Sequence, residues 1–186
     1  NANLEDSIFD SSNLERIVFK NTKINNVVFD NADIINADLT DSDMSFVSFN
    51  NVDLSFSNFS NADLVNIQFD NAKLWKTKLN NVKFTNASFI QSDNYYSEFK
   101  KSKLENADFS SSRLSNVNFN DANLSNSNFL NVFPMNSSFD NANLEDSILN
   151  TCLKHDFGSR ILNKVLRSID SLELEFLEII IVKICN

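Results

Sequence analysis

Glycine and proline are almost missing from this chain, with one of each among 186 residues. A single glycine leaves no glycine-rich phosphate loop, and it hands the tight turns to Asn, Asp and Ser, which tolerate left-handed backbone or bond their own backbone locally. Cysteine is also scarce. Cys152 and Cys185 both lie in the C-terminal part, so no disulfide framework is encoded and the reading is free thiols in a reducing, cytoplasmic setting, with a disulfide between them, or a secreted effector, as the alternative. His155 is the one histidine, and no second ligand is spaced near it, so neither a metal site nor a cofactor is expected. No apolar run approaches the length of a membrane span. Basic residues are outnumbered 16 to 25, for a net charge of -9, which disfavours direct nucleic-acid binding and favours basic partners. The chain opens with neither a signal-peptide pattern nor an initiator Met, which is compatible with the removal of an upstream segment.

What the chain does have is one period. In residues 51–74, apolar side chains fall at Leu54, Phe59, Leu64, Phe69 and Leu74, each with a small or β-branched residue two places before it. A spacing of five matches neither the 3.6 of a helix nor the 2 of a plain strand. The same phase runs from Leu4 to Leu149 without slipping, and only Asn94 and Pro134 interrupt the apolar series. Phe prevails at positions 9, 19, 29 and onward by tens, Leu or Ile at 4, 14, 24 and onward.

Runs such as Asn61-Ala62-Asp63-Leu64 and Asn106-Ala107-Asp108-Phe109 strongly resemble the pentapeptide repeat family, across residues 1 to about 150. The resemblance implies an all-β solenoid, a right-handed quadrilateral β-helix in which four units make one square coil of twenty residues. The central residue and the one two before it point inward, and the other three face solvent. Phe9, Phe29, Phe49, Phe69, Phe89, Phe109 and Phe129 then form one core column, opposite a second of Phe19, Leu39, Phe59, Leu79, Phe99, Phe119 and Phe139. Roughly seven coils at about 4.8 Å make a rod on the order of 35 Å long. Asn94 and Pro134 share one wall, and Pro there suggests a bulge or kink.

The period stops after Leu149, which divides the chain into a β-helix over 1–150 and a second segment over 151–186. Ile161, Leu162, Val165, Leu166 and Ile169 are spaced as an amphipathic helix, with Ser159 as its N-cap. Ser171 to Ile184 is denser in apolar residues and reads as a second helix or a strand. A square coil end cannot bury all of it, so a two-fold partner is expected to cover it. This C-terminal α-helical cap would support a homodimer through Leu162, Val165, Leu166, Ile169, Leu174, Leu177 and Ile181.

No nucleophile with a base, paired acid and base, or metal cluster is present, so the chain reads as a non-enzymatic binding module. Asp33, Asp38, Asp43, Asp53 and Asp63 precede central residues and read as acidic surface. Charge is banded: residues 1–72 carry 12 acidic and 3 basic side chains, residues 73–103 carry 2 and 7, and residues 104–153 carry 6 and 1. The basic belt comprises Lys73, Lys76, Lys78, Lys83, Lys100, Lys101 and Lys103. On the wall of Asn94 and Pro134, outward positions hold Ile35, Phe56, Trp75, Tyr95 and Tyr96, with Phe133 beside the break, and Trp75 and Tyr95 should be stacked neighbours. Such a stripe reads as a protein-binding surface. The family resemblance implies an alternative: some members resemble duplex DNA in shape and negative charge and bind DNA gyrase, which makes a topoisomerase a possible protein partner. A structural spacer within a longer chain is a third reading.

Overall fold

The computed structural model describes residues 4–132 and 134–148. Phe133, the segment 151–186, and with it every side chain assigned to dimerisation lie outside the described residues.

The described chain is a right-handed quadrilateral β-helix. Residues twenty apart are parallel ladder partners, from Ile8 with Val28, Asn13 with Asp33 and Val18 with Asp38 to Asn128 with Ile148. On one wall the ladder forms three-residue strands: β1 (Lys23–Asn25), β2 (Asp43–Ser45), β3 (Asp63–Val65) and β4 (Lys83–Thr85). They pair in parallel in the order β1-β2-β3-β4, with Ile24, Met44, Leu64 and Phe84 in register. Four walls follow in turn along each coil. Their central residues begin with Phe9 on the first, Leu14 on the second, Phe19 on the third and Ile24 on the fourth.

The five-residue unit closes because it satisfies its own backbone. Phe9 N–H donates to the Val28 carbonyl (2.7 Å), Val28 N–H to the Ser7 carbonyl (3.2 Å) and Ser11 N–H to the Asp30 carbonyl (2.9 Å), and this set recurs along the rod. Most corners are closed by a bond such as Ser12 N–H to the Phe9 carbonyl (3.1 Å). The residue two after each central one is left-handed: from Asp6 to Asp146, twenty-nine such residues have φ between 51° and 64°. Twenty-two of them are Asn, Asp or Ser, the types that enter this region at least cost without glycine.

The core is filled by ring columns. Phe9, Phe29, Phe49, Phe69, Phe89, Phe109 and Phe129 stack at 4.6–5.4 Å with interplanar angles of 3–13°. Rings from the opposite wall meet them edge-on, as Phe59 meets Phe49 and Phe69 at 89° and 88°. Small residues two before the centre let the walls approach, and their hydroxyls cap carbonyls: Ser57 Oγ donates to Ile34 O (2.7 Å) and Thr77 Oγ1 to Leu54 O (2.9 Å).

The described residues around Pro134 keep the five-residue phase that a bulge would shift, with Phe133 itself outside the described residues. Pro134 is buried, Asn136 keeps the left-handed corner (φ 56°), Ser137 N–H closes the turn onto the Pro134 carbonyl (3.2 Å) and Ser138 stays in register with Asn118. The central N–H of a unit bonds the next coil, nineteen residues on, as Phe9 does with Val28. For Pro134 the corresponding partner, residue 153, lies outside the described residues, so the missing donor breaks no bond among the described coils.

Candidate functional surface

The second wall has central residues Leu14, Ile34, Leu54, Leu74, Asn94, Leu114 and Pro134. Its outward positions gather aromatics because the ladder superposes residues twenty apart. Trp75 and Tyr95 are each 40% exposed, Tyr96 is 45%, Phe56 is 53% and Met135 is 63% exposed. Trp75 and Tyr95 are neighbours as expected, but they meet edge to face, with centroids 6.3 Å apart at 63°, rather than stacked. Tyr95 in turn meets the Tyr96 ring at 4.4 Å and 80°. An edge-on arrangement puts the positive ring edge against a negative ring face, the favoured aromatic geometry. The phenol of Tyr96 beside it raises the Tyr95 pKa, through hydrogen bonding and then charge.

Ile35 belongs to the same column but is half-buried, and Ser55, itself buried, separates its coil from Trp75. It sits at the margin of the patch. Met135, which sequence reasoning passed over, lines an open cleft of about 590 Å³ together with Trp75, Tyr95, Asp93 and Arg113. Its signal was available in the twenty-residue spacing 75, 95, 115, 135. A second hollow of about 460 Å³ lies around the next corner, between Phe56, Lys76, Lys78, Tyr96 and Glu98.

Charge on this wall is arranged as a ladder. Asp33, Asp53, Lys73, Asp93 and Arg113 are successive partners twenty residues apart. Lys73 Nζ lies 2.8 Å from Asp53 Oδ2 and 4.3 Å from the Trp75 ring centroid, and Arg113 pairs with Asp93 at 3.4 Å. Burial alone would raise the Asp53 pKa, but hydrogen bonds from Lys73 and Ser55 outweigh it and hold the carboxyl below its ordinary value. On the fourth wall, Lys83 pairs with Asp63 at 2.7 Å, and that carboxylate raises the Lys83 pKa; Lys23 lies 3.6 Å from Asp43. Asp38 on the third wall accepts from Thr40 Oγ1 (2.7 Å).

The five aspartates assigned to acidic surface are therefore all half-buried. A position just before the centre is flanked by ladder neighbours above and below: Asp43, Asp53 and Asp63 pair with lysines one coil away, Asp38 bonds Thr40 within its own coil, and one buried oxygen each of Asp33 and Asp63 has no hydrogen-bond partner among the described residues. Two lysines of the basic belt, Lys73 and Lys83, are neutralised in the same way.

Among the described residues, no group of His, Cys, Asp and Glu could hold a metal ion, and no helix is long and apolar enough to cross a membrane. The model of the family described as pentapeptide repeats matches in eight copies between residues 1 and 152, including 1–34, 28–66, 62–93, 97–131 and 118–152. No curated protein matches the chain. Among solved structures, it is similar to a pentapeptide repeat protein from the thylakoid lumen of Arabidopsis thaliana, at 26% identity over 61% of this chain and 75% of that one, with a TM-score of 0.45. It is also similar to QnrB1, a plasmid-mediated fluoroquinolone resistance protein, at 12% identity over 89% of each chain and a TM-score of 0.41. HetL, involved in heterocyst differentiation regulation in the cyanobacterium Nostoc, shares 16% identity over 73% of this chain and 88% of its own, with a TM-score of 0.33. With the repeat model matched over most of its length and the twenty-residue coil in place, this chain belongs to the pentapeptide repeat family.

Proposed function

We propose that the rod is a non-enzymatic protein-binding module whose working surface is the second wall, centred on Trp75, Tyr95 and Tyr96. The observation that supports this most directly is the contact chain Trp75–Tyr95–Tyr96, in which three exposed rings brace one another at 4.4–6.3 Å. Braced aromatics lose little side-chain entropy on binding and are typical anchors. Lys73, Asp53, Asp93 and Arg113 around them are already paired, so a partner meets apolar surface there without stripping water from free charges. The test places a photo-crosslinking amino acid at position 75 or 95 and, as control, at Asn31 on a corner of the first wall, in cells of the source organism. A partner is expected at 75 and 95 only, with capture from position 75 lost on Tyr95→Ala and capture from position 95 lost on Trp75→Ala in an otherwise folded rod. Equal capture at position 31 overturns the reading.

A second reading, an acidic DNA mimic that occupies the DNA groove of a type II topoisomerase, is favoured by the neutralisation of Lys73 and Lys83, which weakens the basic belt. It requires that the captured partner be a topoisomerase subunit and that duplex DNA release it.

A further inference from the structure

The left-handed corners carry an irregularity that the ladder does not need. Read coil by coil, the corner between the second and third walls holds Arg16, Asn36, Phe56, Lys76, Tyr96, Asn116 and Asn136. Phe56, Lys76 and Tyr96, in three consecutive coils, and Arg16 two coils earlier thus place large side chains where most described corners hold Asn, Asp or Ser. On the other three corners a large side chain stands alone: Gln91, Lys101 and Phe46. Phe56 (φ 64°) and Tyr96 (φ 60°) are the kind of residue for which this backbone region is a strained outlier. Strain kept at consecutive positions points to a use for the side chains.

Those side chains form a mixed cation and ring surface. Lys76 Nζ lies 5.5 Å from the Phe56 ring centroid, and Lys76 and Lys78 are both exposed beside the Tyr96 ring. Neither lysine is in an ion pair among the described residues. Glu98, which shares the hollow with them, instead accepts a hydrogen bond from Asn80 Nδ2 (2.7 Å). The contrast with Lys73 and Lys83, each held by an aspartate one coil away, is local and specific. Along the rod, the 7 basic and 2 acidic side chains of residues 73–103 lie between flanks of opposite balance.

From this juxtaposition we infer that the corner of Phe56, Lys76 and Tyr96, with Lys78, is a docking site for an acidic segment of a protein partner that carries an aromatic or aliphatic anchor. The inference rests on the reading of the adjoining wall as a protein-binding surface and names the chemistry of what binds there. Carboxylates of the segment meet Lys76 and Lys78, and its anchor seats against the Phe56 and Tyr96 rings. The acidic flanks repel the same segment elsewhere, which fixes its position along the rod. A single-stranded nucleic acid also suits rings and lysines, but its backbone would run on into the acidic flanks. The three coils span only about 10 Å, less than a typical single-strand site of roughly 4 nucleotides or more.

The test selects a library of short random peptides on the intact chain and on two variants, Lys76→Glu/Lys78→Glu and Phe56→Asn/Tyr96→Asn, each checked by circular dichroism and thermal melting. Peptides with Asp or Glu beside Phe, Trp, Leu or Ile are expected to be enriched on the wild type and to lose about tenfold or more in Kd on either variant. Enrichment of basic or uncharged peptides, no enrichment, unchanged binding to the variants, or tighter binding of oligo(dT) would each overturn the inference. The crosslinked partner separates the two readings. Capture at positions 75 and 95 that is indifferent to Lys76→Glu/Lys78→Glu sinks the acidic docking site and leaves the aromatic wall standing, whereas peptide selection as expected, with capture from 75 insensitive to Tyr95→Ala and from 95 insensitive to Trp75→Ala, does the reverse.

Discussion

Asn94 occupies a central position between Leu74 and Leu114, all three fully buried. Its Nδ2 donates to Ser92 Oγ (2.7 Å), but its Oδ1, like the buried Ser112 hydroxyl of the next coil, has no hydrogen-bond partner among the described residues. Leaving a buried acceptor unpaired costs about 1–3 kcal/mol. Asn94→Leu is therefore expected to raise the free energy of unfolding by about that amount, measured by chemical denaturation; a loss of stability would mean that the amide has a partner the ladder does not reveal. Asp53 makes a prediction of a different kind. Its folded pKa is depressed, so its pairing with Lys73 and Ser55 stabilises the rod fully above the ordinary value of 3.8 and fades as pH falls below it. The stability difference between wild type and Asp53→Asn should shrink on acidification through that window. A difference that stays constant with pH would contradict the assignment.

At the scale of the element, the unit is the coil and not the pentapeptide. Removing residues 52–71 takes out one whole turn and rejoins Asn51 to Ala72 with every column intact. Removing residues 52–56 takes out less but rotates all later units by one wall, so that the ring column of Phe69, Phe89 and Phe109 lands against an aliphatic one. The longer deletion is expected to unfold cooperatively near the wild-type temperature. The shorter one should be clearly less stable, since each mismatched large side chain costs on the order of 1–3 kcal/mol. Comparable melting of the two would show that wall identity is unimportant. The alternation of Phe and Leu every ten residues carries this rule, so the columns were legible before any coordinates. The return to register at Ser138 after Pro134 was not, because it depends on which neighbour each N–H faces.

At the scale of the molecule, charge and apolar surface are separated by whether they are paired along the rod. Lys73, Lys83 and Arg113 are tied to aspartates one coil away, while Lys76 and Lys78 remain available beside exposed rings. Raising ionic strength from about 0.01 M to about 1 M shortens the Debye length from about 30 Å to about 3 Å. Acidic peptides selected on the corner should therefore weaken steeply with salt, read by fluorescence anisotropy. Binding indifferent to salt would show that Lys76 and Lys78 take no part in the contact. The sequence by itself carried the strict period of five and, through the resemblance that period bears to the pentapeptide repeat family, the β-helix with its four walls; folded at twenty residues per coil, the same phase placed the two ring columns and the wall on which Trp75, Tyr95 and Tyr96 fall. Only the tertiary structure decided that Ile35 is half-buried, that Trp75 meets Tyr95 edge-on, and that two lysines of the belt are neutralised while Lys76 and Lys78 are not. Those outcomes depend on which side chain lies one coil above or below, and that neighbour stands twenty residues away in the chain.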